Sequence, residues 1–162
     1  IHYIEEYMYC MKVRYQESLN YKIDILPEIM KEKIPKLIIQ PLVENSIKYG
    51  TNCLPPWEIR ITSFRDASRW YICVTDSGNG FQENVLDELN ERIAAINRDL
   101  NHNLNDLKIG GLGMINVYIR WKIYCGDDII FDFGNTEDGH AYVTIGRKTP
   151  DGAEDSDDSE GE

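Results

Sequence analysis

Leu37-Ile38-Ile39-Gln40-Pro41-Leu42-Val43-Glu44-Asn45-Ser46-Ile47-Lys48-Tyr49-Gly50 is the stretch whose reading decides the fold. Its spacing predicts a helix with two faces. Pro41 suits a first helical turn, where its missing N–H costs little, and Gly50 stands where a helix should stop. Leu42, Val43 and Ile47 supply apolar contacts. Asn45, Lys48 and Tyr49 fall at i, i+3 and i+4 and share a second face. A carboxamide, an ammonium and a phenol side by side are unusual on a helix otherwise built for burial. Taken alone, an amphipathic helix with a polar edge explains them as well as a binding site does.

Two later stretches change that balance. Asp76-Ser77-Gly78-Asn79-Gly80-Phe81 follows Ile72-Cys73-Val74-Thr75, so Asp76 is expected at the end of a buried strand. A carboxylate there can accept the exocyclic N–H of adenine, and Gly78 and Gly80 let the backbone approach a base that a Cβ would block. By itself the segment reads more simply as a tight turn with an Asx hydrogen bond. Phe81 fits as a wall residue. Gly110-Gly111-Leu112-Gly113-Met114-Ile115-Asn116 sets small residues directly before a second helical pattern. Free N–H groups at such a start form an anion site, although a flexible linker has the same composition. Neither the Walker pattern G-x-x-x-x-G-K-S/T nor the Rossmann G-x-G-x-x-G occurs. Asn45 offers a neutral carbonyl oxygen on a rigid helix, which suits Mg²⁺, a hard ion that keeps waters and takes phosphate oxygens as its other ligands.

In this order the three stretches resemble the N, G1 and G2 boxes of the Bergerat (GHKL) ATP-binding fold, shared by histidine kinases, gyrase and MutL. The likeness is closest to sensor histidine kinases of the LytS/YesM type, through Pro41-Leu42-Val43-Glu44-Asn45, Gly111-Leu112-Gly113, Asn116-Val117, Arg120 and Tyr124 with Gly126. It covers roughly residues 1 to 147. It implies ATP and Mg²⁺ as cofactors, with Asn45 as metal ligand and Lys48 and Tyr49 reaching phosphate oxygens. Asp76, Gly78 and Gly80 would meet the base, Gly110, Gly111, Leu112 and Gly113 the phosphates, and Thr144 the adenine region from below. Where the family has Gly-Thr before the last strand, this chain has Gly139-His140. By the same resemblance the parent is a plasma-membrane sensor whose cytoplasmic end works as a homodimer. It passes phosphate from a histidine on an upstream helix to a response regulator.

Three functions share such a pocket: phosphoryl transfer to a histidine, ATP hydrolysis coupled to a clamp, and nucleotide binding without chemistry. The clamp ATPases place a general-base Glu four residues before the metal Asn. Here that position is Pro41, which cannot serve, and Glu44 lies about 100° around the helix from Asn45. Glu44 is left as either a solvated carboxylate or, by resemblance, a catalytic partner of Asn45 in organising attack on the γ-phosphate. Kinase chemistry needs little from the ATP side beyond positioning and charge neutralisation, the histidine being the nucleophile.

The remaining chain fits around these motifs. Residues 1–18 predict a helix with Ile1, Ile4, Met8, Met11 and Tyr15 along one seam, read through the resemblance as the end of the upstream dimerisation helix; the alternative is a helix packed on its own domain. Nothing around His2 matches a phosphoacceptor, which is therefore expected upstream of Ile1. Residues 19–148 form the ATP-binding domain. Leu19–Ile25 alternates as a strand, and Pro27 and Pro35 bracket a short loop. Trp57–Phe64 and Arg69–Thr75 form an antiparallel hairpin with Trp70, Ile72 and Val74 on one face. Asn84–Leu100 is a charged helix, and Asn101–Asp106 a polar loop where a lid is expected. Met114–Tyr124 is a helix, and Ile129–Phe133 and Ala141–Ile145 are strands. This order predicts an α+β fold, a two-layer sandwich of a mixed, mainly antiparallel sheet packed on helices.

With 162 residues and 42% hydrophobic content, one domain with a real core is expected. The net charge is −11, and seven acidic residues with no basic one lie in 151–162, the end of a tail at 149–162 that reads as disordered. The mildly acidic remainder argues against nucleic acid as a ligand. The scattered Cys10, Cys53, Cys73 and Cys125 suggest neither zinc nor a disulfide framework.

Overall fold

The computed structural model describes residues 1–98 and 113–149. The expectations for the Asn-rich loop, for Gly110, Gly111 and Leu112, and for the acidic tail beyond Thr149 lie outside the described residues.

Five strands form one sheet: β1 (Leu19–Asp24), β2 (Trp57–Arg65), β3 (Arg69–Asp76), β4 (Ile129–Asn135) and β5 (Ala141–Lys148), in the order β1-β2-β3-β5-β4. β1 pairs with β2 in parallel and every other pair is antiparallel. The helices are α1 (His2–Tyr15), α2 (Pro27–Met30), α3 (Gln40–Gly50), α4 (Glu83–Arg98) and α5 (Gly113–Cys125). The architecture is the expected α+β sandwich.

Alternation along the strands gives the sheet its two faces. Ile59 and Ile61 of β2, Ile72 and Val74 of β3, and Val143 and Ile145 of β5 point into the core with Leu42, Val43 and Ile47 of α3 and Val117 and Trp121 of α5. The register sets Ile61 beside Val74 and Ile72 beside Ile145, so apolar rows cross the sheet. Trp121 is completely buried, packs edge-on to Trp70 and donates its indole N–H to the Gly146 carbonyl at 2.8 Å. A smaller cluster of Ile96, Ile115, Tyr118 and Ile119 fastens α4 to α5.

Two expectations are corrected. The segment bracketed by Pro27 and Pro35 contains a one-turn helix, α2, begun by Pro27, whose fixed φ suits a first helical position. The key helix starts at Gln40, not Leu37, because Leu37 has a φ of 57°, which no right-handed helix accommodates. Arg120 and Tyr124 of α5 hold that preceding loop: the Arg120 guanidinium donates to the Lys36 carbonyl and the Tyr124 hydroxyl to the Lys33 carbonyl. The helix ends at Gly50, as expected, with Thr51 as its cap and without a left-handed glycine. The α1 seam packs into the domain's own core, with Ile4 and Met8 buried in the cluster that contains Leu19, Ile38 and Leu42.

Candidate functional site

The edge between α3, the C-terminal end of β3 and the start of α5 is where polar side chains enter an otherwise apolar sandwich. Asp76 ends β3 and is 8% exposed. Its Oδ1 accepts the Gly78 N–H at 2.9 Å, and Ser46 of α3 donates a further hydrogen bond. Burial raises the carboxyl above its ordinary value; the two hydrogen bonds and the nearby His140 work against that rise.

Close approach explains the glycines. A Cβ on Gly50 would lie 2.8 Å from the Asp76 Cβ, and one on Gly78 would lie 2.7 Å from the Gly50 Cα and 2.8 Å from Asp76 Oδ1. The end of α3 and the 76–80 turn therefore touch backbone to backbone, which pins Asp76 beside the helix that carries Asn45. Gly80 has a φ of 71°, and a Cβ there would meet the Gly139 carbonyl at 2.4 Å.

Two adjoining cavities open from this junction. The inner one, about 50 Å³, is lined by Leu42, Asn45, Ser46, Asp76, Met114 and Val143 among others. The outer one, about 650 Å³, is bounded by Asn45, Lys48, Tyr49, Asn79, Gly80 and Gly113 with their neighbours. Asn45, Tyr49, Phe81 and Met114 border both. A Cβ on Gly113 would lie 3.5 Å from the Asn45 amide nitrogen, so the start of α5 abuts the carboxamide. Asn45, Lys48, Tyr49, Asp76, Gly80 and Gly113 are thus brought together from three separate parts of the chain, with Gly78 packed between Gly50 and Asp76.

Two expected site residues are not brought there. Thr144 of β5 sits on the opposite face of the sheet, paired in register with Cys73 and Asp132 and hydrogen bonded to the Cys73 side chain. The strand's period of two puts Val143 and Ala141 on the cavity side in its place. Glu44 lines neither cavity; it is exposed, accepts a hydrogen bond from Gln40 Nε2 at 2.8 Å, and acts electrostatically on Tyr7 of α1. It faces the α1 junction, one helical step away from Asn45. Three residues went unread in the sequence. Ser46 was hidden by its place in an apolar run. Asn135 grips Phe81, its Oδ1 accepting the Phe81 N–H at 2.7 Å and its Nδ2 donating to the Phe81 carbonyl at 3.0 Å. His140 reaches the Gly78 carbonyl with Nδ1 at 2.9 Å. Their sequence separation of more than 50 residues from the turn they hold left no local signal; only the Gly139-His140 departure pointed there.

Among solved structures, the nucleotide-free catalytic domain of histidine kinase ThkA superposes over 89% of this chain and 88% of its own length, at 15% identity and a TM-score of 0.58. Curated relatives are an uncharacterized sensor-like histidine kinase of Staphylococcus epidermidis, 28% identical over 75% of this chain, and YesM of Bacillus subtilis, 33% identical over 55%. LytS of Oceanobacillus iheyensis is 26% identical over 86%. The fold is that of histidine kinase catalytic domains, and these curated relatives are sensor histidine kinases. The chain spans only 24%, 16% and 23% of the length of those three relatives. No protein-family model matches the chain. Among the described residues no helix is long and apolar enough to cross a membrane, and no cluster of three or more His, Cys, Asp or Glu could hold a metal ion.

Proposed function

We propose that this chain is the ATP-binding catalytic domain of a two-component sensor histidine kinase, holding Mg-ATP and delivering its γ-phosphoryl group to a histidine on an upstream helix. What supports the reading is the convergence of Asn45, Asp76 and Gly113 on two joined cavities, the inner one small and largely apolar, the outer one wider and edged by Lys48 and Tyr49. The inner cavity takes the adenine edge, with Asp76 accepting its amino group. The outer one takes the sugar and phosphates, toward Lys48, Tyr49 and the start of α5, with Gly110, Gly111 and Leu112 contributing backbone N–H groups.

The donor set fits a hard divalent ion held mainly by phosphate. Among the described residues no side chain bonds the Asn45 carboxamide, which is half-buried and borders both cavities. It supplies one neutral oxygen, and Mg²⁺ takes the rest from phosphate and water. The metal's chemistry is charge neutralisation across the phosphates; the protein's residues hold and aim them. The position one turn before Asn45 is Pro41, inside the first turn of α3, and Glu44 faces α1. No described carboxylate stands where a clamp ATPase needs its base, which favours the kinase over the hydrolase.

As part of the same proposal, the parent is a membrane sensor acting as a homodimer, and its phosphohistidine serves a response regulator. The test is direct. Calorimetry should give Mg-ATP binding to the chain, while incubation with γ-labelled ATP should leave it unlabelled. Stable label on His2, His102 or His140 would overturn the placement of the acceptor elsewhere. Failure of added upstream helices to gain label would leave a binding module.

A further inference from the structure

Asp76 is buried at the end of β3, but its carboxylate bonds the turn that follows, and a turn alone does not hold such a partner to the accuracy base recognition needs. The β4–β5 connection supplies the missing support. Asn135 closes two hydrogen bonds on Phe81, at the far end of the turn. His140 lies within 2.9 Å of the Gly78 carbonyl, at its centre. A carbonyl only accepts, so Nδ1 carries the proton and donates. His140 is itself fixed, its backbone N–H donating to Thr136 Oγ1 at 3.1 Å and its carbonyl accepting from the Thr136 N–H at 2.8 Å. The Gly78 residue is therefore held at both ends: its N–H by Asp76 Oδ1, its C=O by the imidazole. Fixing Gly78 thus helps set, together with the Ser46 hydrogen bond, which way the Asp76 carboxylate faces.

On the reading that the inner cavity takes a purine, we propose that His140 is a positioning residue for base selection, setting Asp76 through Gly78 so that the cavity prefers a purine carrying an exocyclic amino group at that edge. A carboxylate held in one orientation accepts from the adenine amino group and repels the guanine carbonyl. One that swings freely loses more of the first interaction than of the second. The electrostatic influence of His140 on Asp76 acts in the same direction, favouring the ionised carboxylate that accepts.

The full chain, with His140→Ala, His140→Asn and Asn135→Ala variants, is titrated with Mg-ATP, Mg-GTP and Mg-tripolyphosphate. Asn Nδ2 occupies nearly the place of imidazole Nδ1 and keeps the donor. His140→Ala is expected to weaken ATP about five- to tenfold, the equivalent of one hydrogen bond. The ATP-over-GTP ratio should narrow while tripolyphosphate affinity stays unchanged, and His140→Asn should restore most of the ratio. Amide exchange at Gly78 in the ligand-free chain should speed up in His140→Ala and not in His140→Asn, a readout independent of nucleotide. Unchanged Gly78 exchange, an unchanged ATP-over-GTP ratio, or equal losses for ATP and tripolyphosphate would overturn the role of His140. A wild-type chain that binds neither nucleotide would instead refute the purine reading itself.

Discussion

Gly50→Ala distinguishes two accounts of the same glycine by sign. If Gly50 merely ends α3, alanine should help, since glycine in a helix costs about 0.5–1 kcal/mol relative to alanine. The structure argues the reverse. The new methyl would stand 2.8 Å from the Asp76 Cβ and 2.9 Å from its Cγ. The Asp76 Cβ cannot rotate away, being fixed to the backbone of β3, which is paired to β2 on one side and β5 on the other. Relief requires α3 and the sheet to part by several tenths of an ångström. Overpacking of this kind costs about 1–3 kcal/mol. Setting the helix gain against it leaves a net destabilisation of about 0.5–2 kcal/mol, or a fall in Tm of a few degrees at this size. Urea denaturation with a shared m-value measures it. Because the displaced residue is Asp76, Mg-ATP affinity should fall as well, even at temperatures where the variant is fully folded. A Gly50→Ala chain as stable as wild type, with the same nucleotide affinity, would refute the close-packed junction of α3 and β3.

Asp76→Asn should abolish nucleotide binding in calorimetry while leaving the free protein as stable as wild type or more so at neutral pH, because it removes a buried charge and keeps an oxygen for Gly78. The pH dependence follows from the same burial. The folded carboxyl titrates above its unfolded value, so the folded state binds the extra proton in that window, and Asp76's contribution to stability falls as pH rises through it. Nucleotide affinity should move oppositely, weakening as acidification protonates Asp76, and paired melting and binding series from pH 4 to about pH 8 would expose both slopes. Asn45→Ala should bind ATP without Mg²⁺ as wild type does and lose the extra affinity that Mg²⁺ confers, read from titrations with and without chelator. Trp121→Ala, which empties a fully buried site and removes the indole donor to the Gly146 carbonyl, should cost about 3–5 kcal/mol in urea unfolding.

Short-period patterns carried the layers of this fold. Ile72 and Val74, two apart, and Asn45, Lys48 and Tyr49, at three- and four-residue spacing, state their faces without help from the rest of the chain. What failed was what depends on contacts distant in sequence. Leu37 looks like helix because Leu-Ile-Ile continues the apolar pattern; only the α5 side chains that fasten Lys33 and Lys36 fix the turn that makes it otherwise. Gly50 does end its helix, but the close contact that excludes a side chain there, with a carboxylate 26 positions later, left no local mark. Thr144 was misplaced because strand register cannot be read to the residue from one chain, and a shift of one moves a side chain to the other face.

The burial of Asp76 limits what the cavity can hold well. Among the described residues no lysine or arginine lowers its carboxyl; the charge acting on it is that of His140. The desolvation of a carboxylate is thus offset by a turn N–H, a serine hydroxyl and a nearby imidazole, which leaves acceptor capacity toward the cavity. A buried acceptor left unmatched costs about 1–3 kcal/mol. A ligand that brings an N–H donor recovers that cost, and one that brings a carbonyl there adds repulsion to it. Such a site penalises the wrong ring edge more strongly than it rewards the right one, as sites built around a buried polar group generally do. Base preference should therefore depend on the Asp76 carboxylate being both ionised and held. Acidification and loosening of the 76–81 turn should each erode the preference for ATP over GTP. Acidification should do so through the proton on Asp76, and loosening through faster amide exchange at Gly78, so the two causes can be told apart in a single set of titrations.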